Sequence, residues 1–349
     1  GMVALFLPVG ILAAVGLVML SAISTHFFLL QSIWILLGIG VVLFFYAVDW
    51  RLMLTYRWVI GGLYVFVILV LVIAYFKAPI IRNTRSWLEL GPFNFQPVEL
   101  AKIVLVLLYA NYFSRRHLSI ARTKHIIASF LFFIIPAALT ALQPDLGSAT
   151  ILFGIWFSFL VLSGLPRRKV VVSLLVFIAI GTVMWFYFLK DYQRERIIGV
   201  FYPERDSLGI NYSVIQSKIA IGSGGFWGKG YGQGTQTQLG FLTEPANDFI
   251  LAAIIEEWGL AGGIVIIGFF LALVFQILKI GYNAERNFEK FICLGGAAVF
   301  GLQFVLNAGS TVGFMPVVGV TFPFVSYGGS SIVANFFILS LINAIRRKQ

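Results

Sequence analysis

The sequence predicts an all-α polytopic membrane protein of about ten transmembrane helices, with one large extracellular loop between the seventh and eighth. Three observations carry this. Of 349 residues, 60% are hydrophobic and only 11% charged. The mean hydropathy is +0.95. The apolar residues are gathered in runs of about 20, the length that crosses a hydrocarbon core of about 30 Å. Soluble globular domains do not have this composition, and a single integral membrane domain over 1–349 is expected.

The runs lie at 3–23, 28–48, 59–76, 98–113, 126–142, 148–164, 170–189, 249–278, 291–308 and 331–345. The first begins almost at Met2 with no basic stretch before it, so no cleavable leader is expected. The fourth opens on Gln96-Pro97-Val98-Glu99: proline suits the first helical turn, and an acidic residue there opposes the positive end of the helix dipole. Lys102 is three residues further on, within reach of Glu99. A lysine inside a membrane helix is costly unless it faces protein or water, which marks it as a candidate site residue. Gln143-Pro144-Asp145 opens the sixth run, with Asp145 as a candidate cap.

The eighth run follows the polar stretch Gln236–Ile250, which places Asp248 just before an apolar helix. Asn247 or Asp248 is expected to cap that helix. Read as one helix from Phe249 to Leu278 it is about 45 Å long, longer than the core. Its first turns, with Glu256 and Glu257, are then expected at the outer headgroup level. Cys293 is the only cysteine and falls in the ninth run, so no intrachain disulfide is available.

Lys and Arg set the orientation, because basic loops are retained in the cytoplasm. One set of loops holds fifteen, from Arg51 through Lys348. The opposite, far longer set holds nine: Lys77, Arg82, Arg85, Lys190, Arg194, Arg196, Arg205, Lys218 and Lys229. Both termini are therefore expected inside, and the long segments 77–97, 190–247 and 309–330 outside. Topology and anionic lipid explain the net charge of +11 without a nucleic-acid partner.

Glycines crowd Gly222–Gly234, but the spacing is not that of a phosphate-binding loop; its backbone amides are candidates for cradling a lipid pyrophosphate. His26, His117 and His125 are scattered and no metal-ligand cluster is apparent. No Gly-x-Ser-x-Gly element suggests a serine hydrolase.

Several elements in register then carry a resemblance. They are Pro203-Glu204-Arg205-Asp206, Gln216-Ser217 with Ala220–Gly225, Gly234-Thr235-Gln236-Thr237-Gln238, Asp248-Phe249-Ile250, Glu256-Glu257 and Pro323–Ser331. Together they resemble the signature of the SEDS family (shape, elongation, division and sporulation), and the Gly-Thr-Gln-Thr-Gln element is closer to the RodA-like elongation branch. One departure is that Asn247 stands where that branch usually has Thr. The resemblance implies a peptidoglycan glycosyltransferase that polymerises lipid II outside the cytoplasmic membrane, alongside a class B penicillin-binding protein. On that footing Asp248 is the expected general base. Arg85, Lys102 and Arg205 are candidates for neutralising the leaving undecaprenyl pyrophosphate, Glu99 for orienting Lys102, and Asp145, Gln216, Ser217 and Ser326 for lining the sugar or lipid cavity. The sequence leaves a divalent-cation cofactor open. Two other readings of the same polar groups are a lipid II flippase and a noncatalytic scaffold for the penicillin-binding protein.

Overall fold

The computed structural model describes residues 2–48, 54, 56–81, 84–91, 93–115, 123–206, 208–209 and 211–347. Of the basic residues counted above, Arg51, Arg82, Arg116, Arg122 and Lys348 lie outside the described residues, as does His117. The apolar runs fold as α1 (Met2–Ile23), α2 (Thr25–Ala47), α3 (Arg57–Lys77), α4 (Pro97–Ser114), α5 (Thr123–Leu142), α6 (Leu146–Leu162) and α7 (Arg167–Tyr187). After a long connection the chain continues as α8 (Asp191–Phe201), α9 (Tyr212–Gly224) and α10 (Thr235–Gln238), then α11 (Ile250–Asn283), α12 (Asn287–Val312) and α13 (Gly329–Arg346). Among the described residues nine helices are long and apolar enough to cross a membrane, and α6 is a shorter apolar one. Ten predicted runs and ten apolar helices therefore agree.

The centre of the bundle is α4 and α13, buried nearly all round, with α12 buried along more than half of its surface. α13 packs along α2, and α12 packs against both α11 and α4. Small residues permit this closeness: a methyl group on Gly295 of α12 would crowd Val106 of α4, and one on Gly296 would crowd Ile338 of α13. By contrast, only Ser173 of α7 is buried, leaving its apolar surface for lipid.

Pro136 lies inside α5. Having no N–H, it cannot bond the carbonyl of Phe132 one turn back, and that carbonyl instead accepts a hydrogen bond from the Tyr64 hydroxyl of α3 at 3.0 Å. A polar group freed within the apolar zone is thus satisfied by a neighbouring helix.

The long connecting segments carry structure of their own: 77–97 contains an antiparallel hairpin, β1 (Leu88–Leu90) with β2 (Phe93–Phe95), and the large loop contains α8, α9, α10 and a 3-10 turn over Pro203–Asp206. One expectation is corrected. The helix that follows Asp248 is not continuous. At Gly259 the backbone turns to φ 73°, ψ −179°, splitting α11 into an outer piece and a spanning piece, Leu260–Asn283. The glycine-rich loop fills the break. Leu260 and Ala261 amides donate to Gly225 and Phe226 carbonyls (2.9 and 3.1 Å), while Lys229 and Gly230 amides donate to Glu256 and Glu257 carbonyls (3.0 and 2.8 Å).

Candidate active site

Five helices begin on one side of the bundle, α2, α4, α6, α11 and α13, and residues at or near each of these starts line a cavity of about 350 Å³. His26 and Phe27 come from α2, Glu99 and Lys102 from α4, Ser148 from α6, Asp248 from the approach to α11, and Gly329 to Ser331 from α13. Trp87, Phe93 and Asn94 add the hairpin, and Phe93 meets Trp34 edge-on with centroids 5.0 Å apart. Five helix N-termini bring the positive ends of their dipoles toward one space, which favours an anionic occupant, with Asp145 already opposing that of α6.

Glu99 and Lys102 form an ion pair at 2.6 Å, with both side chains almost fully buried. α4 is buried nearly all round, so these charges lie in protein and at the cavity rather than in lipid, which meets the requirement that a membrane lysine be shielded. Gln96, at the N-cap position, does not cap its own helix. Its Nε2 donates to Asp145 Oδ2 at 2.9 Å.

Asp248 is half-buried and lines the cavity. The N-cap position of α11 falls on Phe249, whose side chain offers no cap, one residue beyond the expected Asn247 or Asp248. The loop carrying Asp248 is fixed through its main chain. Asn307 Nδ2 on α12 donates to the carbonyls of Asp248 (3.1 Å) and Val320 (2.8 Å). Ser326 Oγ donates to the Asn247 carbonyl at 2.7 Å, and the Tyr327 amide to that of Ala246 at 2.8 Å. Gln31, buried on α2, holds the far side of that second loop: it donates to the Ser326 carbonyl (3.1 Å) and accepts from the Gly328 amide (3.3 Å). Tyr327 faces the cavity, and burial raises its phenol pKa above the ordinary 10, so it remains a neutral hydroxyl at physiological pH.

Of the residues singled out from sequence, the structure brings Asp248, Glu99 and Lys102 to the cavity. Asp145 stands behind the wall as the cap of α6, accepting from the Ser148 amide (3.0 Å) and hydroxyl (2.8 Å). Ser326 is likewise a brace rather than a lining residue. Ser217 is fully buried and donates to the Thr311 carbonyl at 2.7 Å, tying α9 to α12. Gln216, on the same helix, does not line the cavity either. Arg85 and Arg205 are exposed and outside it, Arg205 belonging to a shallow outer groove with Phe201 and Tyr202.

The glycine-rich loop also departs from expectation. Its amides are committed to Glu256 and Glu257, which are almost fully buried rather than facing headgroups. Glu256 accepts from the Gln236 and Thr237 amides (2.8 and 3.0 Å), from the Thr237 hydroxyl (2.8 Å) and from Lys229 Nζ (2.9 Å). Glu257 accepts from the Gly232 amide (2.8 Å) and Gln238 Nε2 (2.9 Å). Sequence reasoning missed Gln303, Gln96, Asn94, Trp34 and Ser330 as cavity residues. A glutamine deep in an apolar run was the available signal for Gln303. Among the described residues no group of three or more His, Cys, Asp or Glu side chains is arranged to hold a metal ion.

Comparison with known proteins adds three findings. Residues 2–349 match the model of the FtsW, RodA and SpoVE family of cell cycle proteins. The peptidoglycan glycosyltransferase MrdB of Escherichia coli K12 is 38% identical over 288 residues, 82% of this chain and 78% of that protein; the probable peptidoglycan glycosyltransferase FtsW of Trichlorobacter lovleyi is 33% identical over 97% of this chain and 91% of its own. A chain from a solved structure described as structural coordination of polymerization and crosslinking by a peptidoglycan synthase complex superposes with a TM-score of 0.84 at 31% identity, covering 99% of this chain and 97% of its own. The rod shape determining protein RodA of Thermus thermophilus superposes with a TM-score of 0.73 at 27% identity, covering 99% and 96%.

Proposed function

The chain belongs to the FtsW, RodA and SpoVE family, and from that premise we propose that it is a peptidoglycan glycosyltransferase that polymerises lipid II during cell elongation. The observation that carries the reading is the joint presence, in one cavity ringed by helix N-termini, of the Asp248 carboxylate and the Glu99–Lys102 pair. This is a base and a cation lining one space that attracts anions. The chain is a membrane-integral protein, and the density of basic residues supports placing its termini in the cytoplasm and the cavity outside.

In this mechanism the acceptor's sugar hydroxyl gives its proton to Asp248 as its oxygen attacks the anomeric carbon of the donor. The bond from that carbon to the undecaprenyl pyrophosphate oxygen breaks on the opposite face, so the configuration inverts. General-base assistance of this kind contributes about 10²–10⁴-fold. Charge developing on the leaving pyrophosphate is met by Lys102, which Glu99 holds in place, and by the helix N-termini, all fixed before the reaction begins. A class B penicillin-binding protein is the partner that would crosslink the product. Arg85 and Arg205, exposed on the same side, are suited to guiding the anionic lipid toward the cavity rather than to contacting its reacting atoms.

The deciding experiment is gel-resolved polymerisation of labelled lipid II by the purified protein with its partner carrying an inactivated transpeptidase, wild type against Asp248→Asn. Polymer from the wild type only is expected. Equal polymer from both removes the base, and none from either removes the enzyme reading.

A further inference from the structure

The cavity contains a polar group that this chemistry leaves unused. Gln303 lines it and is 1% exposed, and neither its Oε1 nor its Nε2 has a hydrogen-bond partner. Both polar atoms of this carboxamide are buried without a partner. Other buried carboxamides near the cavity walls are committed at least in part: Gln31 to Ser326 and Gly328, Gln143 to Leu71, and Asn307 to Asp248 and Val320. It stands nine residues before Val312, where α12 ends, so at about 1.5 Å per residue it is deep in the cavity. An unpaired buried amide is costly and calls for a partner.

We infer that Gln303 is a sugar-recognition residue whose carboxamide pairs with the acetamido group of an N-acetylated sugar in the substrate, a step that rests on the glycosyltransferase reading. A phosphate oxygen only accepts, so it would satisfy Nε2 and leave Oε1 unpaired. An acetamido group presents one N–H and one C=O and satisfies both atoms at once. The volume of about 350 Å³ is at the small end of ligand pockets, suited to one sugar ring with the pyrophosphate near Lys102. A site built to pair with a ligand amide strongly rejects an analogue that lacks it, because its own polar atoms are then stranded.

The test uses the full chain with its transpeptidase-inactivated partner, lipid II, and lipid II whose acetamido groups have been hydrolysed to amines. The wild type is expected to prefer the acetylated donor by about ten- to a hundredfold in kcat/KM, and Gln303→Leu to lose that preference, mainly through KM. Because the leucine removes an unpaired amide, the melting temperature of the substrate-free variant is expected to hold or rise. A variant that discriminates as the wild type does, or that melts lower without substrate, overturns the proposal; the latter makes Gln303 a structural residue. Should the wild type make no polymer, the enzyme reading fails separately. Thermal stabilisation by acetylated lipid II then decides: stabilisation of wild type but not of Gln303→Leu supports the inference, and equal stabilisation overturns it.

Discussion

Asp248 depends on its neighbours for position more than for chemistry. Its carbonyl and that of Val320 are held by a single amide, Asn307 Nδ2, which fastens two cavity walls to α12. Asn307→Leu is expected to lower kcat about tenfold or more while leaving KM within a few-fold, since misplacing a reacting group costs rate more than binding. Single-turnover kinetics on lipid II separates the two. The Glu99–Lys102 pair makes a different prediction. Removing one member of a buried pair strands the other, at about 3–5 kcal/mol, whereas replacing both by apolar groups is often tolerated. Lys102→Met should therefore lose both stability and activity. The double variant Glu99→Leu with Lys102→Met should recover its melting temperature yet stay inactive; a double variant that makes polymer would remove the pair from the mechanism.

At the scale of elements, the interruption of α11 shows how irregular backbone survives beside a membrane. Gly259 opens the helix and the loop from Gly225 to Gly230 supplies the missing partners, while Glu256 and Glu257 gather the rest of the loop from beneath. Gly228 sits at φ 82°, and a Cβ there would strike the Glu257 carbonyl. Gly228→Ala should open the loop, seen as faster proteolysis between Gly225 and Gln238 and a lower melting temperature. An unchanged cleavage pattern would mean that the loop does not depend on this close approach. Tyr64→Phe tests the Pro136 repair in α5: it strands the Phe132 carbonyl, at about 1–3 kcal/mol, and a detergent-phase melting curve reads the loss.

At the scale of the whole molecule, ten apolar helices alternate sides so that every long connection and the cavity share one face. If that face is extracytoplasmic, a cysteine placed at exposed Tyr231 in a Cys293→Ala background should react with a membrane-impermeant thiol reagent in intact cells. One at exposed Tyr282 should react only after lysis. The reverse pattern would invert the orientation. The native thiol is buried and should contribute little background.

The helix count and the gathering of Asp248, Glu99 and Lys102 on one side of the bundle were legible in the sequence, because hydrophobic length and the cost of a charge in an apolar run are local properties. Family resemblance was legible too, in short elements that keep their order along the chain. Tertiary structure alone decided which polar residues meet. Ser217 and Ser326 read from sequence as candidates for the sugar or lipid cavity, yet they brace helices and loops because their hydroxyls are satisfied across the fold, whereas the cap that Asp145 forms on Ser148 is local and was legible. Glu256 and Glu257 read as interfacial charges until the glycine-rich loop is seen folded over them. Gln303 stands out in sequence only as a glutamine in an apolar run, and its role appears when its neighbours leave both amide atoms unpaired. Partner choice among buried polar groups is a long-range property, set by which helices pack together, and no local pattern encodes it.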